Sequence, residues 1–198
     1  MNIAILGATG KFGKRLTSKL LENEDYKLTL ISKSAGDVFD ENEQITAKNI
    51  DASNLEDLKE ALENQDIVYC AISGSDLPSI AENLVEINPK RLILMGAVGI
   101  YNELAEGNGS EYNVDNEPPQ IPNTKAVKIL EDSELDYTIF RPGFLRDGDE
   151  DDYVITHKGE TPKGYYTTFQ SVLKIALEII ENPELYFRES ISITRDMT

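Results

Sequence analysis

The sequence predicts an α/β fold in which a doubly wound parallel sheet carries helices on both faces. Three observations lead there: short apolar runs that do not alternate with polar residues, segments of helical period between them, and a glycine-rich turn directly after the first run. A strand covered on both faces has no solvent side to alternate toward. Runs of this kind interleaved with helices therefore argue against a sandwich or a bundle.

Taken in order, residues 2–6 read as the first strand, and Phe12, Leu16, Leu20 and Leu21 follow at helical spacing. Residues 27–32 and 43–50 read as the next two strands. Residues 54–63 read as a helix with Asn54 at its N-cap and Leu55, Leu58 and Leu62 on one face. Residues 66–72 form a strand, 77–87 a helix stopped by Asn88-Pro89, and 91–95 a fifth apolar strand. Beyond it come a helix over 124–133, a sixth strand over 137–140, a helix over 169–181 closed by Asn182-Pro183, and a last strand over 189–194. The expectation is one domain over residues 1–198, a sheet of about six strands and a small C-terminal region on the substrate side. Residues 97–122, rich in Gly, Asn and Pro, and residues 146–164 fit no element; such stretches are often binding loops, and some are merely mobile.

Composition narrows the function. A chain of 198 residues with 40% hydrophobic content has enough apolar mass for a real core. With 19 Lys+Arg against 36 Asp+Glu the formal net charge is −17, which repels nucleic acid and anionic membrane surfaces, and no basic stripe offsets it. One Cys and one His exclude an intrachain disulfide and argue against a zinc site, so no metal is expected. Neither a secretory leader nor an apolar span of membrane length is visible, and the expected location is cytoplasmic. Nothing in the composition reports an oligomeric state.

The sharpest signal is Gly7-Ala8-Thr9-Gly10-Lys11-Phe12-Gly13 between the first strand and the first helix. In that context the first glycine permits a tight turn and the second lets backbone approach a pyrophosphate. The third lets helix pack on sheet, and the phosphate meets the helix N-terminus. This is the signature of a Rossmann-like dinucleotide site. Twenty residues past Gly13, where a carboxylate for ribose hydroxyls is usual, stands Lys33, flanked by Ser32 and Ser34. The reversed sign favours NADP over NAD, with NAD as the other choice.

With these motifs in view, the sequence resembles the atypical short-chain dehydrogenase/reductases, the NAD(P)H-binding and NmrA-like group that includes biliverdin-IX-beta (flavin) reductase. The resemblance rests on Gly7 to Gly13, Lys33, Asp51 with Asn54 and Leu58, and Asp66-Ile67-Val68 leading to Ala71-Ile72-Ser73-Gly74. It rests further on Gly99-Ile100-Tyr101 and on Leu135 through Gly143. It implies that Asp51 and Ala52 meet the adenine and that Ala71, Ile72 and Ser73 run along the riboses. Arg141, Pro142, Gly143 and Phe144 would lie by the nicotinamide. Asp51 beginning a turn and Arg141-Pro142 ending a strand have plain structural readings too. Gly7, Lys33, Asp51, Ser73, Gly96 and Arg141 nonetheless all fall at carboxyl ends of strands, where open α/β sheets bind ligands.

The catalytic pattern of the better-equipped relatives is missing. Gly96-Ala97 stands where a serine is expected, and no tyrosine precedes Lys125 or Lys128 by four. Hydride transfer to a small acceptor such as a flavin, quinone or carbonyl compound needs less from the protein, because the nicotinamide supplies the hard chemistry. Tyr101 and His157 are the candidate proton donors, with Tyr153, Tyr165 and Tyr166 behind them. The alternative is a dinucleotide sensor acting through a protein partner, and a third reading is a quiescent epimerase-like scaffold. The acidic run 147–152 lacks the glycine and glutamate of a calcium loop and reads as solvated.

Overall fold

The computed structural model describes residues 1–195. Its elements are β1 (Asn2–Leu6), α1 (Lys11–Leu20), β2 (Lys27–Ser32), β3 (Ile45–Asn49), α2 (Leu55–Ala61), β4 (Ile67–Cys70), α3 (Leu77–Ile87), β5 (Leu92–Met95), α4 (Ile121–Glu131), β6 (Tyr137–Pro142), β7 (Phe144–Arg146), β8 (Val154–His157), β9 (Tyr166–Thr168), α5 (Phe169–Glu181) and β10 (Glu189–Thr194). The main sheet runs β3-β2-β1-β4-β5-β6-β10-β8, and every pairing in it is parallel except β10 with β8.

The strands alternate between two apolar layers rather than between core and water. On β1, Ile3 and Ile5 pack with α1 and α5, whereas Ala4 and Leu6 pack with α2, α3 and α4. All four are fully buried, which is why the sequence shows a continuous apolar run there. Asn54 caps α2, its side-chain oxygen accepting from the Asp57 amide at 3.4 Å.

The sheet is wider than the six strands expected. β10 extends it, and β8, which lies in the segment read as a loop, closes the edge in antiparallel register with Ile191 opposite His157. β7 and β9 form a separate two-stranded parallel pair of three residues each, too short for periodicity to reveal. The fourth helix starts at Ile121, three residues before the expected Thr124, with Pro122 inside its first turn. Proline there removes no intrahelical hydrogen bond, so it opens the helix instead of breaking it. No helix among the described residues is long and apolar enough to cross a membrane.

Candidate functional site

The turn after β1 is built by its glycines. Gly7 has φ +79°, and a Cβ there would lie 3.1 Å from Ile72 Cγ1 and 3.2 Å from the Ala71 carbonyl. A Cβ on Gly13 would lie 2.4 Å from the Gly7 carbonyl oxygen, so only glycine lets α1 close onto the turn. Gly10 is the extended N-cap of α1, no side chain caps the helix, and its first turn holds no acidic residue. The first amides of α1 lack intrahelical acceptors and sit at the positive end of its dipole.

Two clefts open from this turn, along the carboxyl ends of the strands where the order reverses at β1 and β4. One, of about 270 Å³, is lined by Gly7, Thr9, Ser32, Lys33, Asp51 and Ala52, among others. The other, of about 310 Å³, is lined by Phe12, Ala71, Ser73, residues 95–98 and residues 142–145, with Gln120 and Asn123 from the start of α4. Ile72 lines both, so the clefts meet at that side chain. Phe12 reaches the second cleft while its ring stacks on the buried Tyr69, centroids 5.4 Å apart.

In the first cleft Lys33 Nζ stands 2.8 Å from Asp51 Oδ2 and 3.9 Å from Asp76. The Lys33 hydrogen bond, with further bonds from the Ser53 hydroxyl and amide, holds the Asp51 carboxyl down at about 2. The same hydrogen bond raises the Lys33 ammonium above its usual value. In the second cleft a relay fixes the polarity of two amides. Gln120 Nε2 donates to the Val98 carbonyl at 3.2 Å, and Asn123 Nδ2 donates to Gln120 Oε1 at 2.9 Å. A carbonyl can only accept, so the chain of donors leaves Asn123 Oδ1 as the unpaired atom; it is buried without a partner.

The model of the NAD(P)H-binding family matches residues 7–183, nearly the whole sequence, from the glycine turn onward. The chain belongs to the NAD(P)H-binding family. A Rossmann-fold NAD(P)-binding family protein from Shigella flexneri is 30% identical, with a TM-score of 0.83 over 100% of this chain and 94% of that one. A short-chain dehydrogenase/reductase (wide type) from Veillonella parvula DSM 2008, solved in complex with NADP, is 26% identical, with a TM-score of 0.88 over 100% and 95%. The uncharacterized sugar epimerase YhfK of Bacillus subtilis (strain 168) is 26% identical over 162 residues, 74% of this chain and 73% of its own. The clefts suit the group this NAD(P)H-binding chain implies. The glycine turn leaves backbone exposed beside an uncapped helix end, a cation stands at the β2 end, and a buried amide oxygen awaits a donor.

Three expected residues of the NAD(P)H-binding chain are turned elsewhere. Arg141 is fully buried, its Nη1 2.6 Å from Glu103 Oε1, and its Nε donates to Ser190 Oγ at 3.1 Å. It cannot share one ligand with Gly7 and Lys33. β6 runs to Pro142, and Arg141 therefore takes the same parity as Tyr137 and Ile139, which face the α3–α4 layer. Tyr101 lies over that guanidinium, 5.2 Å from its ring centroid to Cζ, and its hydroxyl bonds Glu131 at 2.6 Å and Ser190 at 3.1 Å. Burial, then the Glu131 bond, push the Tyr101 phenol well up. His157, on edge strand β8, meets Glu189 at 2.6 Å. It lines a separate polar cavity with Glu131, Lys158 and Ser190, away from the clefts.

The lower-ranked phenols also pack structurally. Tyr165 neighbours Tyr112, Tyr166 lies under Arg146, and Tyr153 lies near Lys174. Acidic residues 147, 150, 151 and 152 pair with Arg15, Lys174 and Arg195, and no metal cluster occurs among the described residues. The reading from sequence missed Gln120 and Asn123. The signal was Pro122, which marks the first turn of α4 and sets both amides on it, facing the cleft.

Proposed function

We propose that this protein is an NADPH-dependent reductase of a small, planar, conjugated acceptor. The observation that carries the reading is the pair of clefts joined at Ile72 over the glycine turn, one holding Lys33 with Asp51 and Asp76, the other without any charged side chain. In this reading the uncapped first turn of α1, with Gly10, Lys11, Phe12 and Gly13, receives the pyrophosphate, and Thr9 borders it. Lys33 and Ser32 receive the ribose 2′-phosphate, while Asp51 and Ala52 face the adenine. The backbone of Ala71, Ile72 and Ser73 follows the riboses, and Pro142 and Gly143 border the nicotinamide. A bound reduced nicotinamide supplies the hydride.

The chain's own contribution is positioning and exclusion of water. Phe12, Met95, Val98, Phe144 and Leu145 give the acceptor an apolar bed, and Asn123 Oδ1 offers one fixed acceptor. None of the residues lining this cleft is titratable. A ring acceptor spreads the charge it gains and takes its proton from water, whereas a simple ketone would need an acid in place. Flavins and quinones therefore suit the cleft better than ketones or aldehydes.

Calorimetric titration with NADPH, NADP, NADH and NAD, followed by flavin and quinone turnover, tests the reading. Tighter binding of NADPH than NADH and stereospecific loss of label from deuterated NADPH are expected. A dinucleotide that binds while no acceptor turns over overturns it. That outcome favours the second reading, a dinucleotide sensor with a protein partner, which draws support from Phe144 and Ile121 at the cleft mouth and the start of α4, 49% and 43% exposed.

A further inference from the structure

The first cleft holds more negative charge than a phosphate site needs. The charged groups among its lining residues are one ammonium, Lys33, and two carboxylates, Asp51 and Asp76. The two acids stand differently to the lysine. Asp51 Oδ2 lies 2.8 Å from Nζ and accepts a hydrogen bond from it, which orients the cation. Asp76 Oδ2 lies 3.9 Å away, within reach of the charge and beyond hydrogen-bond distance. It lowers the local positive potential and fixes no geometry.

The Asp76 side chain does not serve its own helix. It occupies the N-cap position of α3 yet accepts from no helix amide, and Pro78 in the first turn has no amide proton to offer. Among the described residues its one hydrogen bond is to Oδ1 from the adjacent Ser75 hydroxyl, at 3.1 Å. The Ser79 hydroxyl goes instead to the Asp76 main-chain carbonyl, at 2.9 Å. The carboxylate is left on the wall of the cleft, its side chain 57% exposed.

The distances bound what this does to a ligand. A phosphate oxygen bonded to Lys33 Nζ at the usual ~2.8 Å lies within about 7 Å of Asp76 Oδ2, whatever its direction of approach. That is shorter than the screening length of about 10 Å at 0.1 M salt, so a phosphate dianion is repelled by this carboxylate. A 2′-hydroxyl is neutral and is not. Pyrophosphate and adenine are common to NADPH and NADH, so any effect of Asp76 on those parts cancels in the ratio of the two affinities.

We propose that Asp76 is a cofactor-specificity residue that holds down the preference for NADPH over NADH, by repelling the 2′-phosphate that Lys33 attracts. The assignment rests on the reading of Lys33 as the 2′-phosphate ligand and extends it to a residue after β4. Cofactor choice in this protein is then a balance of Lys33 against Asp76 rather than a property of the β2 end alone.

Asp76→Asn keeps the shape of the side chain and removes its charge, and Asp76→Ser, with a favoured N-cap residue, serves as a second variant. NADPH and NADH are titrated calorimetrically into the wild type, both variants and Lys33→Gln, at ionic strengths of about 0.05 M and about 1 M. At the lower salt both Asp76 variants should bind NADPH about fivefold tighter than the wild type and NADH within about twofold of it. At about 1 M, where the screening length falls to about 3 Å, the gain should shrink below about twofold. An unchanged ratio at low salt, a gain shared equally by both cofactors, or a gain that salt leaves intact overturns the role of Asp76. Lys33→Gln separates that failure from one in the reading beneath it. If Lys33→Gln lowers the ratio while the Asp76 variants leave it alone, the 2′-phosphate site stands and the role of Asp76 falls. If no variant moves the ratio, the 2′-phosphate lies elsewhere and both fall together.

Discussion

Lys33 Nζ is held 2.8 Å from Asp51 Oδ2 across the ends of β2 and β3, so the cation of the first cleft is already oriented before any ligand arrives. Both side chains are substantially solvent-exposed, so the pair adds little to folding stability and matters as a positioned charge. A 2′-phosphate would compete with Asp51 for an ammonium already turned to the cleft.

Lys33→Gln should lower the ratio of NADPH to NADH affinity by about tenfold to a hundredfold, the loss of one charge-assisted phosphate contact. Parallel calorimetric titrations read it, and an unchanged ratio would mean that Lys33 serves Asp51 alone. Because Asp51 is held at about 2 against its ordinary 3.8, the pair's contribution is fully present above pH 3.8 and fades as pH falls toward 2. Lys33 is raised rather than lowered and stays cationic through pH 9, so the preference should rise only as the 2′-phosphate loses its second proton near pH 6 and stay flat between about pH 7 and 9.

Gly10 and Gly13 should separate binding from folding. Gly10 is exposed, and a Cβ there meets only the Gly7 carbonyl at 3.2 Å, so Gly10→Val should fold and lose dinucleotide binding. Gly13→Ala sets a methyl 2.4 Å from the same oxygen and should cost about 2 kcal/mol or more. Thermal melts with and without NADPH distinguish the two.

Glu103 should matter for stability and little for the cofactor. It pairs with the buried Arg141 and also accepts from the amides of Gly99 and Tyr101 at 3.1 and 2.9 Å. Glu103→Ala strands a buried guanidinium and should cost about 3–5 kcal/mol by denaturant unfolding. NADPH affinity of the folded variant should stay within about twofold, well under the tenfold that a lost charged contact would produce.

Tyr101→Phe and His157→Asn should leave the pH profile of turnover unchanged, since both side chains lie outside the two clefts. A lost limb in either profile would return that residue to the chemistry.

Cys70 should resist alkylation in the native protein. It is fully buried at the end of β4, and burial pushes its thiol up to about 12, leaving about one part in ten thousand as thiolate at pH 8. Iodoacetamide labelling should track global unfolding; rapid native labelling would contradict the packing of β4.

The sequence by itself determined the strand-helix alternation, the glycine turn, and the arrival of Lys33, Asp51 and Ala71 to Ser73 at the carboxyl ends of strands. These are local matters: period, turn chemistry and capping act within a few residues. What lay between distant segments was decided only by the tertiary structure. Arg141 points away from the cofactor clefts because β6 continues one pleat past Phe140, and because Glu103 and Ser190, far along the chain, arrive to satisfy it. β8 joins the sheet because β10 leaves an open edge, and three-residue strands β7 and β9 exist only through each other. Such partnerships depend on which side chains meet after the chain has closed, and no local period encodes them.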